Sequence, residues 1–408
     1  MKCGLLGRKL GHSYSPQIHG YLGDYTYSLF EKEPEEVEDF LKNGDFTGLN
    51  VTIPYKKTVI SFLDELSTAA KTLGAVNTVV RRSDGTLFGH NTDYFGFASL
   101  LKRSGLSVSG KKVLVLGSGG ASNTVTAVLR EQGAQAVVIS RSGENNYNNL
   151  SRHADAAAIV NATPVGMFPN TGVSPVDLSL FPRLEGVLDV IYNPARTRLL
   201  LDAEALGVPC ANGLWMLVAQ AKESAEYFTG SPISDSVIAG IYGKLVRQME
   251  NVVLIGMPGC GKSTVGALLA DELGRKLADA DEEIVRLAGK PIPEIFAQDG
   301  EAVFRDWETK ALAELGKQSG LVIATGGGCV TQPRNYPLLH QNGMIVWLKR
   351  DISKLPTDGR PLSQANSLED MFAKRTPMYT DFADYTVSND GPAEKTAAAI
   401  LSVMEEQL

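Results

Sequence analysis

Two stretches of this sequence each run from a short apolar strand through a glycine-rich turn into a helix, and that repeated unit restricts the fold more than anything else in the chain. Val113-Leu114-Val115-Leu116 leads into Gly117-Ser118-Gly119-Gly120-Ala121 and then a helical stretch through Arg130. Val252-Val253-Leu254-Ile255 leads into Gly256-Met257-Pro258-Gly259-Cys260-Gly261-Lys262-Ser263 and a helix to about Leu273. Strands alternating with helices in this way predict an α/β fold with parallel strands. A helix N-terminus carries unpaired backbone N–H groups and the positive end of the helix dipole, so each turn is a site for an anion the size of a phosphate. One chain is thus expected to hold two nucleotides. The expected organisation is an N-terminal α/β substrate domain made of residues 1–100 with 213–249, a Rossmann-type dinucleotide domain at 101–212, and a P-loop domain with a parallel sheet at 250–408. Between Arg247 and Val252 there is no Pro/Gly/Ser-rich linker, so helix is expected to run almost directly into strand.

Composition narrows the partners. A length of 408 residues exceeds what one core organises. The 39 Lys and Arg against 46 Asp and Glu leave a net charge of −7, about −1 over residues 1–250 and −6 over the rest. Neither part has the basic excess with which a nucleic-acid binder neutralises phosphates. No apolar run approaches the roughly 18 residues needed to cross a bilayer. The start, Met1-Lys2-Cys3-Gly4, lacks the long apolar region of a secretory signal. Cys3, Cys210, Cys260 and Cys329 are far apart and form no CxxC pair, which argues against a zinc site or a disulfide framework and for a reducing cytoplasm. The acidic run Glu31–Asp39 reads as a solvated helix face. His12, His19 and His90 lack metal-ligand spacing. Small-molecule chemistry is what remains, with the oligomeric state left open.

Gly256-x4-Gly261-Lys262-Ser263, after a strand and before a helix, is a complete P-loop. Gly259, Cys260, Gly261, Lys262, Ser263 and Thr264 are the candidate ATP-binding residues. The glycines let amides wrap the phosphates, Lys262 reaches the β and γ oxygens, and the Ser263 hydroxyl is a Mg²⁺ ligand. Downstream come Asp279-Ala280-Asp281, Gly300-Glu301-x2-Phe304-Arg305-x2-Glu308, Gly326-Gly327-Gly328, Gly359-Arg360-Pro361-Leu362 and Arg375-x-Pro377-x-Tyr379. Their order and spacing resemble shikimate kinase over essentially all of 251–408. The resemblance implies that Asp279 joins Ser263 at Mg²⁺ and that Asp281 accepts a hydrogen bond from the attacking hydroxyl. It further implies that Arg305 and Arg375 grip a carboxylate, that Gly327 presents its backbone to the substrate ring, and that Arg360 is the lid arginine on the transferring phosphoryl. The segment Lys354–Gly359 is short and lacks an adenine-stacking arginine, for which Lys354 is the candidate replacement.

In the N-terminal part, Gly117, Ser118, Gly119, Gly120 and Ala121 form an imperfect dinucleotide fingerprint, with Ser122 where a third glycine or alanine is usual. The next strand, Val137-Val138-Ile139, ends in Ser140-Arg141-Ser142 rather than in an acid for a ribose hydroxyl, which favours NADP over NAD. Further blocks follow: Ser13-x-Ser15-Pro16, Asn50-Val51-Thr52-Ile53-Pro54-Tyr55-Lys56, Gly74-Ala75-Val76-Asn77-Thr78, Asn91-Thr92-Asp93, Asn161-Ala162-Thr163-Pro164-Val165-Gly166-Met167, Asp189-Val190-Ile191-Tyr192-Asn193-Pro194, and Asn212-Gly213-x2-Met216-Leu217-Val218-x-Gln220. Over nearly all of 1–249 this series looks like shikimate dehydrogenase. The resemblance implies that Lys56 and Asp93 are the catalytic pair and that Ser13 and Ser15 bind the ring carboxylate. Thr52, Asn77, Tyr192 and Gln220 would read the hydroxyls, and Val190 and Gly213 would border the nicotinamide. Met216-Leu217 reads as core packing.

Together the resemblances imply a bifunctional enzyme: NADPH-dependent reduction of 3-dehydroshikimate to shikimate, then MgATP-dependent phosphorylation to shikimate 3-phosphate, on the route to chorismate and the aromatic amino acids. Two alternatives stand beside this reading. The first half could be a quinate/shikimate dehydrogenase of relaxed specificity, or either half could be a non-catalytic ligand sensor on a catalytic fold.

Overall fold

The computed structural model describes residues 1–11, 13–355 and 368–406, organised around three β-sheets. The first contains β1 (Lys2–Gly7), β2 (Thr26–Glu31), β3 (Gly48–Val51), β4 (Glu65–Leu66), β5 (Thr78–Arg81) and β6 (Leu87–His90), in the order β2-β1-β3-β5-β6-β4. Its β1–β2, β1–β3 and β4–β6 pairs are parallel, whereas β5 runs antiparallel to both β3 and β6. The reason is local. Only Arg82-Ser83-Asp84-Gly85-Thr86 joins β5 to β6, with Gly85 at φ 89°, and a parallel crossover needs a dozen residues or more.

The second sheet is wholly parallel: β7 (Lys112–Leu116), β8 (Gln135–Ile139), β9 (Ala158–Asn161), β10 (Gly186–Asp189) and β11 (Cys210–Ala211), ordered β11-β10-β9-β7-β8. The third is also parallel: β12 (Asn251–Ile255), β13 (Lys276–Asp279), β14 (Leu321–Ala324), β15 (Gly343–Lys349) and β16 (Tyr385–Ser388), ordered β13-β14-β12-β15-β16. In each, the first strand in the sequence lies between neighbours whose connections leave in opposite directions, β7 between β8 and β9, β12 between β14 and β15. Such a switch point opens a crevice at the carboxyl ends of the strands, and both glycine turns leave from there. All five residues of β12 are buried, as a continuous apolar run requires when both faces of a strand are covered by helices.

Helix Leu214–Thr229 packs on helices Asp93–Ser104 and Ser15–Leu22 and against β3. Close approach depends on two glycines. A Cβ on Gly96 would lie 2.8 Å from the Met216 carbonyl oxygen, and one on Gly48 would lie 2.2 Å from the Phe228 ring. Met216 is buried in the core with Phe97, Val113 and Leu188, as its apolar spacing suggested. The run Glu31–Asp39 forms a 3₁₀ turn at Pro34–Glu36, closed by reciprocal Glu33–Glu36 capping, and the start of a short helix.

The chain forms two compact units, Met1–Val165 with Ser174–Tyr192 and Asp202–Lys244, and Gly166–Val173 with Asn193–Leu201 and Leu245–Leu408. This departs from the sequence division, which placed 166–173 and 193–201 in the dinucleotide domain. Hydrogen bonds inside the second unit hold segment 193–201 there, and the Phe168 N–H ties 166–173 to it through the Asn193 carbonyl (3.0 Å). The Ala195 N–H donates to Asn342 Oδ1 (2.7 Å), the Arg196 N–H to the Gln341 carbonyl (2.8 Å) and Arg196 Nη1 to the His340 carbonyl (3.0 Å). A single residue, Glu250, separates helix Ser236–Met249 from β12, and Arg275 caps that junction through the carbonyls of Glu250 (2.8 Å) and Arg247. Helix Gly300–Gly316 meets helix Asn335–His340 at Gly316, where a Cβ would lie 1.9 Å from the Leu338 carbonyl oxygen. Backbone cannot yield there as a side chain could. Gly316→Ala is expected to destabilise the C-terminal part by about 1–3 kcal/mol, read by calorimetry as a lowered melting transition for that part with the N-terminal transition unmoved.

Candidate active sites

Lys56 and Asp93 meet as an ion pair, Nζ to Oδ2 2.6 Å, with both side chains largely shielded from solvent. Lys56 follows buried Tyr55, whose hydroxyl donates to the Lys32 carbonyl, and its own carbonyl accepts from the Val76 N–H (2.8 Å). Asp93 is the first residue of helix Asp93–Ser104, with its N–H held by Asn91 Oδ1 (3.1 Å). A carboxylate there faces the positive end of the helix dipole. The lysine is therefore fixed from its backbone and its charge at once.

A buried hydrogen-bond network runs beside this pair. Asn77 Oδ1 accepts from the Thr92 N–H (2.8 Å), and its Nδ2 donates to Thr92 Oγ1 (3.1 Å). Thr92 Oγ1 reaches Gln220 Oε1 (3.4 Å), whose Nε2 donates to the Leu217 carbonyl (2.8 Å). At the hub, Ser224 Oγ accepts from Asn50 Nδ2 (2.8 Å), lies 2.9 Å from Thr78 Oγ1 and 3.0 Å from Thr92 Oγ1, and donates to the Gln220 carbonyl (3.0 Å). Asn50 Oδ1 in turn accepts from the Tyr27 hydroxyl (2.8 Å). Burial pushes that phenol far above its ordinary range, and a hydrogen bond with Ser15 works the other way. His19 stacks on Tyr27 at 4.1 Å, and burial lowers its imidazole to about 3, so it stays neutral at ordinary pH.

Most of the expected substrate residues have a structural account. Ser13 Oγ accepts from the Ser15 N–H (3.2 Å), Thr52 is tied to Leu6 through its N–H (2.9 Å), and Tyr192 lies edge-on to Tyr14 at 6.2 Å. Asn77 has much of its amide committed to Thr92. Sequence reasoning missed Tyr14, Tyr27, Thr78, Thr92 and Ser224 as participants and gave Asn50 no role. Ser224 was within reach, since it follows Gln220 by one helical turn and shares its face.

The dinucleotide turn opens on a cavity of about 690 Å³ lined by Gly117, Ser118, Gly119, Ser140, Arg141, Tyr147 and the segment from Ala162 to Val165. Gly117 has φ 101°, a left-handed value that favours glycine. A Cβ on Gly119 or Gly120 would meet nothing within 4 Å, so those two glycines leave room for a ligand rather than for the protein. Gly120 and Ala121 begin the following helix, and Ser122 is buried with its hydroxyl unpaired. Ser142 follows Arg141 outside the lining. Among the described residues no acid lines the cavity, and Arg141 supplies a cation, which fits a dinucleotide carrying an extra phosphate. Val190 and Gly213 are in contact, since a Cβ on Gly213 would lie 2.0 Å from the Val190 carbonyl oxygen. Tyr147, unremarked in the sequence, enters the cavity from a loop.

In the P-loop, Gly259 (φ 80°) and Gly261 (φ 100°) take left-handed backbone, and a Cβ on Gly261 would collide with the Asn389 amide at 2.5 Å. Asn389 closes the loop from behind by donating to the Cys260 carbonyl (2.6 Å), a role that no sequence signal marked. Lys262 Nζ donates to the carbonyls of Gly256 (3.0 Å) and Met257 (3.1 Å). Ser263, followed by Thr264 in the first helical turn, donates to Asp279 Oδ2 at 3.3 Å, and Asp279 Oδ1 accepts from the Asp281 N–H (2.9 Å). A hydroxyl and a carboxylate side by side are hard oxygen donors of the kind Mg²⁺ takes. Lys354 donates to the Asp390 carbonyl (3.1 Å). Arg360 lies outside the described residues.

A cavity in this part, about 370 Å³, is lined by Arg305, Lys374, Arg375, Thr331, Gln332 and Glu301, among others. Arg305 is buried and held by Glu308 (2.9 Å) and Glu301 (3.0 Å). Burial opposes its charge, but the two carboxylates outweigh that and raise its pKa. Burial pushes the Glu308 carboxyl above the usual carboxylate range by more than Arg305 draws it down, and Asp281 adds to the push. Arg375 Nη1 donates to the Gly327 carbonyl (3.1 Å), which also accepts from Tyr379 (2.5 Å). A Cβ on Gly328 would lie 2.4 Å from Arg305 Nη1, so that glycine is there to admit the guanidinium. Lys374 and Glu308 had been given no role.

Ser224→Ala removes the acceptor of Asn50 and the partner of Thr78 and Thr92. It is expected to destabilise the N-terminal part by about 1–3 kcal/mol, measured by chemical denaturation followed through its own unfolding transition.

Residues 5–79 match the family described as shikimate dehydrogenase substrate binding domain, and residues 258–405 match shikimate kinase. A shikimate dehydrogenase (NADP(+)) of Clostridium perfringens is 36% identical over 264 residues, covering 59% of this chain and 97% of the relative. Among solved structures, shikimate dehydrogenase 1 from Peptoclostridium difficile is 38% identical, covering 60% of this chain and 97% of that one with a TM-score of 0.55. Shikimate 5-dehydrogenase from Thermus thermophilus, solved in complex with NADP(H) and shikimate, is 32% identical, covering 60% and 99% with a TM-score of 0.55. The chain belongs to the shikimate dehydrogenase family, and it carries a shikimate kinase domain on the C-terminal side of that part.

Proposed function

We propose that this bifunctional enzyme reduces 3-dehydroshikimate to shikimate with NADPH in its N-terminal part and phosphorylates the resulting hydroxyl with MgATP in its C-terminal part. The observation that carries the reading is the Lys56–Asp93 pair at 2.6 Å in a chain that also holds a complete P-loop and a cavity with two arginines and a lysine. When bound, the reduced nicotinamide supplies a hydride to the ring carbonyl. The Lys56 ammonium meets the developing alkoxide and gives it a proton, while Asp93, 2.6 Å away, keeps the lysine aimed. Ser13 and Ser15 take the ring carboxylate, and Gln220 with the network around Thr92 and Asn50 orients the hydroxyls. Arg141 and the absence of an acid in the coenzyme cavity support NADPH over NADH.

In the second half Arg305 and Arg375 supply planar forks suited to a carboxylate. Asp281 orients the hydroxyl, while Ser263 and Asp279 would hold Mg²⁺. Lys262 exchanges its carbonyl partners for phosphate oxygens when the nucleotide enters. Arg360 completes the charge around the transferring group. The same oxygen would thus meet a proton donor in the first site and an acceptor in the second.

A coupled assay on the purified chain tests the whole. Dehydroshikimate with NADPH and MgATP should consume NADPH and release ADP in sequence, and withholding NADPH should abolish ADP release unless shikimate is added; ADP release without either would defeat the reading. Lys56→Ala is expected to slow hydride transfer by about 10²–10⁴-fold and leave shikimate phosphorylation unchanged. Arg305→Lys keeps the charge but loses the fork. It should raise KM for shikimate by roughly tenfold or more, with KM for ATP moving less than about twofold, as initial-rate kinetics would show.

A further inference from the structure

We propose that Tyr147 is the second half of a clamp for the coenzyme's adenosine 2′-phosphate, its phenol donating to a phosphate oxygen beside the Arg141 guanidinium. The inference rests on the NADPH reading above and names a residue that neither the fingerprint nor the family blocks contain. Tyr147 lines the same cavity as the Gly117–Gly119 turn and the Ser140–Arg141 strand end. The loop that carries it is folded by its own asparagines. The Ser140 N–H donates to the Asn145 carbonyl (3.1 Å), and Asn146 Nδ2 to the Gly143 carbonyl (3.0 Å). The Asn146 N–H donates to Asn149 Oδ1 (2.9 Å), and Asn149 Nδ2 to the Glu144 carbonyl (2.8 Å). Asn145 Oδ1 is engaged by His153 Nε2 (3.1 Å). A bridge between Ser140 and Asn146 then sets Tyr147 next to the end of β8. Asn145, Asn146 and Asn149 are spent on shaping the loop, and Tyr147 is the loop residue that lines the cavity.

Two groups there are uncommitted. Among the described residues the Tyr147 hydroxyl makes no hydrogen bond and the Arg141 guanidinium makes no ion pair, although the two are close enough for the arginine's charge to draw the phenol's pKa down against the effect of burial. A phosphate monoester offers three acceptor oxygens. A planar guanidinium engages two at most in one plane, and a neutral hydroxyl donor beside it serves the third without adding repulsion. A ribose carrying only a 2′-hydroxyl would gain nothing comparable.

The test is fluorescence titration of the full chain with NADPH and with NADH, with MgADP at saturation to fill the P-loop. Tyr147→Phe is expected to weaken NADPH binding by about tenfold and to leave NADH within twofold. Unchanged NADPH affinity would overturn the proposal, and so would an equal loss for both coenzymes, which would make Tyr147 a support for the loop alone. If the unmodified chain bound NADH as tightly as NADPH, the underlying coenzyme reading would fall as well, a result distinct from either of the others.

Discussion

Unpaired backbone amides at the starts of two helices set the terms for the rest of this structure. A parallel strand that hands the chain to a helix leaves N–H groups and a dipole end facing outward. The sheet order then decides where that end points. At β7 and at β12 the connections diverge, so the amides face an open crevice, with Arg141 lining the cavity at the first and Lys262, Ser263 and Asp279 set at the second. The glycines serve this geometry in two ways. Gly117, Gly259 and Gly261 supply backbone that other residues resist, while Gly119 and Gly120 supply empty space.

Around the openings, burial makes each polar group dependent on a partner. An unpaired donor or acceptor in the interior costs about 1–3 kcal/mol, which is why Asn50, Asn77, Thr78, Thr92 and Ser224 form a closed set. Each holds a neighbour in orientation, and the set spans from Tyr27 near Ser15 to Gln220, the two ends of the expected substrate region. In the C-terminal part a harder problem is solved with charge. Arg305 is buried, and Glu308 and Glu301 keep it ionised. Glu308 bears the cost, with its carboxyl displaced upward by burial. Such an arrangement suits a residue that must present a rigid cation to an acid, because loss of either partner would strand a charge in the interior.

On the proposed function the two halves would answer one ligand with opposite tools. A cyclic acid has a carboxylate to be gripped and hydroxyls to be counted. In one site serines and amides would do this, close to a lysine; in the other, arginines would do it, close to an aspartate. The inversion follows from chemistry, since reduction of a carbonyl needs a proton delivered and phosphorylation of a hydroxyl needs one taken away.

By itself the sequence determined the two strand–turn–helix units, the P-loop, the α/β class and the order of the motif blocks, because these depend on residues close together in the chain: β-branched runs, glycines at fixed offsets, and a lysine one step from its turn. The antiparallel β5 follows from a local cause that strand patterning did not mark, the five-residue turn that feeds it into β6. Tertiary structure decided two things that depend on distant neighbours. Segment 193–201 joins the C-terminal unit through the partners that Ala195 and Arg196 find at His340, Gln341 and Asn342, and 166–173 through the Phe168 N–H on the Asn193 carbonyl. Ser224, Asn389 and Tyr147 become part of the sites because a hydrogen bond or a cavity wall is made by whatever side chain packing delivers there, across separations of more than a hundred residues for the first two, and local patterning carries no record of such a meeting.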